Sequence, residues 1–194
     1  DEWIVRDQGA MVRQIGHSPK EFAQIMIDKE GGVDNAKKLF DKSEVKPSDY
    51  RPEDVRINSA GEKYSKILNS VFEENYDFSD YNRASSIYWP GNKLGHGRED
   101  VAKFWNSLKN IFTEIKFSIE HVGYLDEPNK NPRASIRWFL EGIHSNDSDD
   151  YGKKTNSKLF IMGINHVELN KDGIIREWVL FDEVAIWKQI LMNK

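Results

Sequence analysis

From Lys158 to Asp182 the chain reads KLFIMGINHVELNKDGIIREWVLFD, two apolar runs on either side of an Asn-Lys-Asp-Gly turn. Side chains that alternate with a period of two belong to strands rather than helices, so the stretch predicts a hairpin with strands at about 158 to 169 and 174 to 182. The turn sets which residues face each other. A three-residue Lys171-Asp172-Gly173 loop places His166 opposite Trp178, whereas a two-residue Asp172-Gly173 turn places it opposite Val179. Sequence leaves both registers open.

Upstream, two further runs at about 115 to 126 and 133 to 145 share this period, separated by Asn/Pro/Lys and Asp/Ser/Gly turns. Before them the period becomes 3.6. Arg98-Glu99-Asp100 opens a helix that carries Val101, Phe104, Trp105, Leu108 and Phe112 in register, preceded by a glycine-rich turn at residues 91 to 97 and a strand from Ala84 to Trp89. Ser59-Ala60-Gly61-Glu62 has the form of a capping box and leads a helix with Tyr64, Ile67, Leu68, Val71 and Phe72 on one stripe. Helices first and long strands afterwards is an α+β pattern, with helices packed on the concave face of a curved antiparallel sheet and a pocket between them.

The N-terminal part is organised differently. Ser18-Pro19-Lys20-Glu21 is a second capping box, followed by Phe22, Ile25 and Met26 on one face up to Gly31-Gly32, and a short helix then carries Val33, Ala36, Leu39 and Phe40. Residues 43 to 57 hold Pro47, Pro52 and seven charges with almost no apolar periodicity, which marks a linker. Residues 1 to 15 also repeat residues 176 to 190 without a gap, with six identities that include Trp3/Trp178, Asp7/Asp182 and Gln14/Gln189. Each copy reads as a strand that ends at an aspartate and turns into a helix capped by that aspartate. The expected organisation is therefore the remnant of a preceding domain plus a helical linker over residues 1 to 57, and a main domain over residues 58 to 194. The strand of the first copy has no neighbour nearby in sequence. It must pair with the main sheet, with another chain, or not at all.

Composition narrows the function. The 194 residues are 38% apolar and 31% charged, with a formal net charge of −4 and no long block of one sign, so neither a nucleic-acid footprint nor a polybasic membrane anchor is indicated. No apolar stretch approaches the roughly 18 residues that span a bilayer, and a cytoplasmic location is the expectation. The absence of cysteine excludes disulfides, thiolate nucleophiles and cysteine-ligated metals. There is no His-Glu-x-x-His helix, no phosphate-binding loop with lysine and no Gly-x-Ser-x-Gly elbow. Asp147, Asp149 and Asp150 read as an acidic surface loop rather than a calcium site. No metal and no cofactor is expected.

The helix-then-sheet order, Gly97-Arg98-Glu99-Asp100 before an aromatic helix, Ile136-Arg137-Trp138-x-x-x-Gly142-x-His144 and Asp172-Gly173-x-Ile175-x-Glu177-Trp178-x-x-x-Asp182 resemble the SnoaL-like polyketide cyclases of the nuclear-transport-factor-2-like superfamily. The resemblance covers about residues 58 to 192, and residues 1 to 57 resemble the end of another such domain with the helical link of tandem SnoaL-like proteins. It implies a cone-shaped fold enclosing an apolar cavity, dimerisation through the sheet, and ring closure by intramolecular aldol condensation without metal or organic cofactor. The acid/base position of that family matches Asp182 here, with His144 and His166 as pocket companions.

Aldol cyclisation needs a base beside one carbonyl and an acid for the oxygen of the other, and one carboxyl group can serve both if burial raises its pKa. Asp182 stands four residues after Trp178 on the same strand face, which makes apolar surroundings possible. Its position equally fits a helix N-cap, and both roles stay open. His144 shares parity with Trp138, and His166 lies on the Asp182 face in one of the two registers, about 13 Å away at roughly 3.3 Å per residue. Trp138, Trp178, Met162, Tyr88 and Trp105 are candidate substrate contacts, each equally at home in a core. Two functions follow: a cofactor-independent cyclase or isomerase of a small carbonyl compound through Asp182, or a non-catalytic domain that binds a small apolar molecule or dimerises. A homodimer is expected in either case.

Overall fold

The computed structural model describes residues 5–41 and 59–194. The elements run α1 (Gln8–Gln14), α2 (Pro19–Lys29), α3 (Val33–Asp41), α4 (Ser59–Val71), β1 (Tyr81–Trp89), β2 (Lys93–His96), α5 (Gly97–Lys109), β3 (Phe112–Leu125), β4 (Arg133–His144), β5 (Lys158–Asn170), β6 (Gly173–Phe181) and α6 (Glu183–Met192). The helices and long strands fall close to where periodicity placed them, except that Phe112, read on the stripe of the helix that begins near Arg98, is the first residue of β3. Strand β2 lies inside what read as a glycine-rich turn. The interdomain boundary, the linker at residues 43 to 57 and most of the strand of the first repeat copy lie outside the described residues.

The class is α+β, but the sheet corrects the curved antiparallel cone expected from the sequence. Its six strands form one open sheet, ordered β2-β1-β6-β5-β4-β3, neither closed nor strongly curled, with β2 and β3 as edges. It is also mixed, because β1 runs parallel to β6. The physical reason is connectivity. Strands β3 to β6 are sequential neighbours joined by turns and loops and pair antiparallel. Strand β1 meets β6 from the far side of β2, α5 and three other strands, so no local turn fixes its direction.

The β5–β6 turn settles the register by a route that neither simple loop offered. Asn170 pairs with Gly173 around a two-residue Lys171-Asp172 turn, and a bulge then shifts the ladder so that Glu168 meets Arg176 and His166 meets Trp178. The face of every residue beyond the bulge follows from that shift. One face is the core: Ala134, Ile136, Trp138 and Leu140 on β4, Leu159, Ile161 and Val167 on β5, and Val179 and Phe181 on β6 are all buried. Helices α4 and α5 cover this face with Tyr64, Leu68, Val101, Trp105 and Leu108. Each such side chain contributes about 1.5–3 kcal/mol when fully buried. Trp138 lies flat against β5 because position 163 is glycine; a Cβ there would stand 2.1 Å from the indole.

At the N-terminal end, the capping box of α2 is formed in both directions: Ser18 Oγ accepts from the Glu21 N–H at 3.2 Å, and Glu21 Oε2 accepts from the Ser18 N–H at 2.8 Å. Helix α2 packs against α6, and Arg13 of α1 forms an ion pair with the buried Glu183 at 2.6 Å. Among the described residues, no helix is long and apolar enough to cross a membrane.

Candidate functional site

The residues singled out in the sequence separate into three places. Trp138, Trp105 and His144 point inward and are fully buried. Asp182 and Met162 line a hollow at the start of α6. His166, Trp178 and Tyr88 stand on the other face of the sheet.

The centre of the inner face is Glu177, a fully buried carboxylate not singled out from the sequence. Tyr64 Oη donates to its Oε1 at 2.6 Å and Asn165 Nδ2 at 2.9 Å; Tyr81 Oη donates to Oε2 at 2.9 Å and Trp105 Nε1 at 3.2 Å. Asn165 in turn accepts from Trp138 Nε1 at 2.7 Å and donates to Tyr64 Oη at 2.7 Å. Burial raises the Glu177 carboxyl above its ordinary range against the opposing effect of these donors. Both tyrosine hydroxyls are pushed well up by burial and by the carboxylate beside them. The arrangement holds a charge in an apolar interior by giving each oxygen two donors. His144, at the end of β4, is also fully buried; Thr155 Oγ1 lies 3.4 Å from its Nδ1, its Nε2 has no partner among the described residues, and burial lowers its pKa.

Asp182 is the N-cap of α6. Its Oδ1 accepts from the Val184 N–H at 2.8 Å and the Ala185 N–H at 3.3 Å. Burial, then the nearby Asp7, raises its carboxyl pKa, opposed by these two bonds. Beside it lies an open hollow of about 400 Å³ walled by Met162, Phe160, Ile161 and Ile186 on one side and by Val5, Arg6 and Gln8 on the other. Asp7, its counterpart in the first copy, caps α1 in the same manner through Ala10 N at 2.8 Å and ties down the β1–β2 turn through Gly91 N at 2.9 Å.

The outer face presents a row of residues in register across all six strands: Leu94, Tyr88, Trp178, His166, Ser135 and Gly123. Trp178 and Tyr88 are 39% and 40% exposed and stack with ring centroids 5.4 Å apart and planes 6° from parallel, an open aromatic platform rather than core. Beside Trp178 is an open hollow of about 700 Å³ with Tyr124 and Leu125 as further walls and Ser135, His166 and Arg133 as its polar groups.

Sequence reasoning missed Glu177, Asn165, Ser135 and Arg133. For the first two a signal was present: Glu177 shares parity with Val179 and Phe181, and Asn165 with Ile161 and Val167, so both interrupt an apolar stripe. Ser135 and Arg133 carry no such mark, because polar residues on an outward face are ordinary.

No family model and no curated protein matches the sequence. Solved structures do match. A SnoaL-like polyketide cyclase, by its name, from Shewanella putrefaciens superposes with a TM-score of 0.56 at 16% identity, over 71% of this chain and 88% of its own. A chain named as a polyketide cyclase from Acidithiobacillus ferrooxidans gives 0.55 at 14% identity, over 72% of this chain and 100% of its own. One named as a SnoaL-like polyketide cyclase from Shewanella denitrificans gives 0.53 at 17% identity, over 69% and 98%. Identities this low speak to architecture alone: the chain has the SnoaL-like fold of these structures named as polyketide cyclases.

Proposed function

We propose that the chain is a small-molecule-binding domain on a SnoaL-like fold, with an apolar ligand in the outer-face hollow beside Trp178 and with Asp182 as a helix cap. The observation that carries this reading is the exposed Tyr88–Trp178 platform next to a hollow of about 700 Å³, a volume within the range of small-molecule sites. The engagement of Asp182 Oδ1 by two backbone N–H groups supports the second half. Decanol serves as a neutral apolar probe. Trp178→Ala is expected to weaken its binding about tenfold by loss of apolar contact, and Asp182→Asn to leave it unchanged; the reverse pattern overturns the proposal.

A second reading keeps the cyclase chemistry, and the pKa-raising burial of Asp182 beside an apolar hollow is what favours it. In that reading Asp182 takes a proton next to a carbonyl of a small ligand and returns it to the alkoxide oxygen formed on ring closure, with no metal or organic cofactor. Here Asp182→Asn abolishes turnover and leaves the fold intact. Surviving activity would exclude it.

Two matters of assembly belong to the same proposal. A homodimer across the outer face would cover Tyr88, Trp178 and Leu94 and roof the hollow; light scattering at micromolar concentration that returns a monomer rules it out. Residues 1 to 57 are taken as the remnant of a preceding SnoaL-like domain with its linker, ahead of the domain at 58 to 194, supported by the like capping of α1 by Asp7 and α6 by Asp182.

A further inference from the structure

We infer that the ligand of the outer-face hollow is an apolar carboxylate, an aliphatic or aromatic acid whose body lies against Trp178 and Leu125 and whose carboxylate meets Ser135, His166 and Arg133. This rests on the reading that the hollow binds a small molecule, and it adds the chemistry of the ligand's polar end.

The lining of the hollow sets the chemistry of its ligand. Among the described residues its charged and polar side chains are a guanidinium, an imidazole and hydroxyl groups, and the acidic Glu127 and Glu168 stand beside Arg133 rather than in the lining. Arg133 can only donate and the others can donate too, so an accepting ligand group is the one that satisfies all of them together. Ser135 and His166 are direct partners across β4 and β5. Side chains so paired have Cβ atoms about 4.5–5.5 Å apart, close enough for both to reach toward one carboxylate placed between them.

The third strand of the row keeps that pair open. Gly123 is the partner of Ser135 on β3, and a Cβ at position 123 would stand 2.8 Å from Ser135 Oγ. Any other residue there would crowd the hydroxyl. Arg133 lies two residues from Ser135 on the same face of β4. Its bond to Glu127 uses Nη2 alone, which leaves Nε and Nη1 of the fork for a second acceptor. Lys130 also engages Glu127, so that carboxylate is shared by two cations. Arg133 is 42% exposed at the rim, where a planar guanidinium suits a carboxylate better than a hydroxyl or a carbonyl.

The apolar part of the ligand follows from the walls. Trp178 offers a ring face held by its stack on Tyr88, with Leu125 and Tyr124 exposed beside it. An acid with a chain of moderate length or a small ring system fills such a space; a short polar acid does not bury enough surface to hold.

The test compares decanoate, decanol and decylammonium on the whole chain by isothermal titration, with Arg133→Gln, Ser135→Ala and Trp178→Ala as variants. Decanoate is expected to bind about tenfold more tightly than decanol, and decylammonium more weakly than either. Arg133→Gln and Ser135→Ala should lower decanoate affinity and leave decanol unchanged. Equal affinities for acid and alcohol, or a preference for the amine, would overturn the inference while the hollow remains a binding site. If none of the three binds, or Trp178→Ala changes none of them, the underlying reading of the hollow fails instead.

Discussion

Glu177 and Trp178 are neighbours in the chain and stand on opposite faces of β6, one with no exposed surface and the other 39% exposed. On the inner face, four donors from α4, β1, α5 and β5 saturate the carboxylate of Glu177, so that carboxylate and the two tyrosine hydroxyls beside it are already engaged with one another. On the outer face, Trp178 touches its stacking partner Tyr88, and the polar residues beside it in the hollow have capacity to spare. A buried polar cluster is therefore not by itself a reactive one. The inner set fixes the fold and the outer set is available to a ligand.

The largest effect that would break this contrast comes from the inner face. Glu177→Leu strands the Tyr64, Tyr81, Trp105 and Asn165 donors and should lower the free energy of unfolding by about 3 kcal/mol or more, read from urea denaturation. A loss under about 1 kcal/mol would mean that the network is ornamental. Next is Gly163→Ala, which drives a methyl into Trp138 and should cost about 1–3 kcal/mol in the same assay. Asp182→Ala and Asp7→Ala each remove a cap and should cost about 1 kcal/mol, with the asparagine variants near neutral. If Asp182→Ala costs nothing while Asp7→Ala costs the full amount, the two copies are not equivalent. The smallest effect on stability, within roughly 0.5–1 kcal/mol, belongs to Trp178→Ala, whose consequence should appear in ligand binding.

Acidity separates the inner-face groups further. Burial raises the Glu177 carboxyl above its ordinary 4.5, so in the folded state it holds its proton to higher pH than in the unfolded chain. Its contribution to stability is full below 4.5 and is lost as pH rises through the folded value. Burial lowers His144 below 6.5, which has the opposite sense: its contribution is present above 6.5 and is lost as pH falls toward the folded value. In Glu177→Gln, the decline of stability from pH 4.5 upward should flatten, while the His144 limb below 6.5 stays. Thermal unfolding across that pH range measures both.

Much of this architecture was legible from local pattern. The Ser18/Glu21 capping box, the helical stripe of Tyr64, Leu68 and Val71, and the two-residue period of β3 to β6 are short-range signals, and the structure follows them. The parity of Trp138 and His144 was readable for the same reason. What local pattern does not hold is partnership at a distance. The parallel approach of β1 to β6 is set by packing across most of the domain, and the bulge before Arg176 is a choice among near-equal turns. Asp182 is marked in the sequence by the repeat and by the family resemblance, whereas Glu177 differs from an ordinary charged strand residue only in its partners, which are distant in the chain.

The Glu177 network also dictates an order of events in time. Its donors lie 12, 72, 96 and 113 positions from the acceptor, so the β5–β6 hairpin can close with only Asn165 in place, and the other three arrive when α4, β1 and α5 dock. We expect contacts of such long separation to be absent from the folding transition state, and contacts absent from it act on the unfolding rate. Weakening this cluster is therefore expected to speed unfolding more than it slows refolding, which the unfolding and refolding rates of Glu177→Gln would measure.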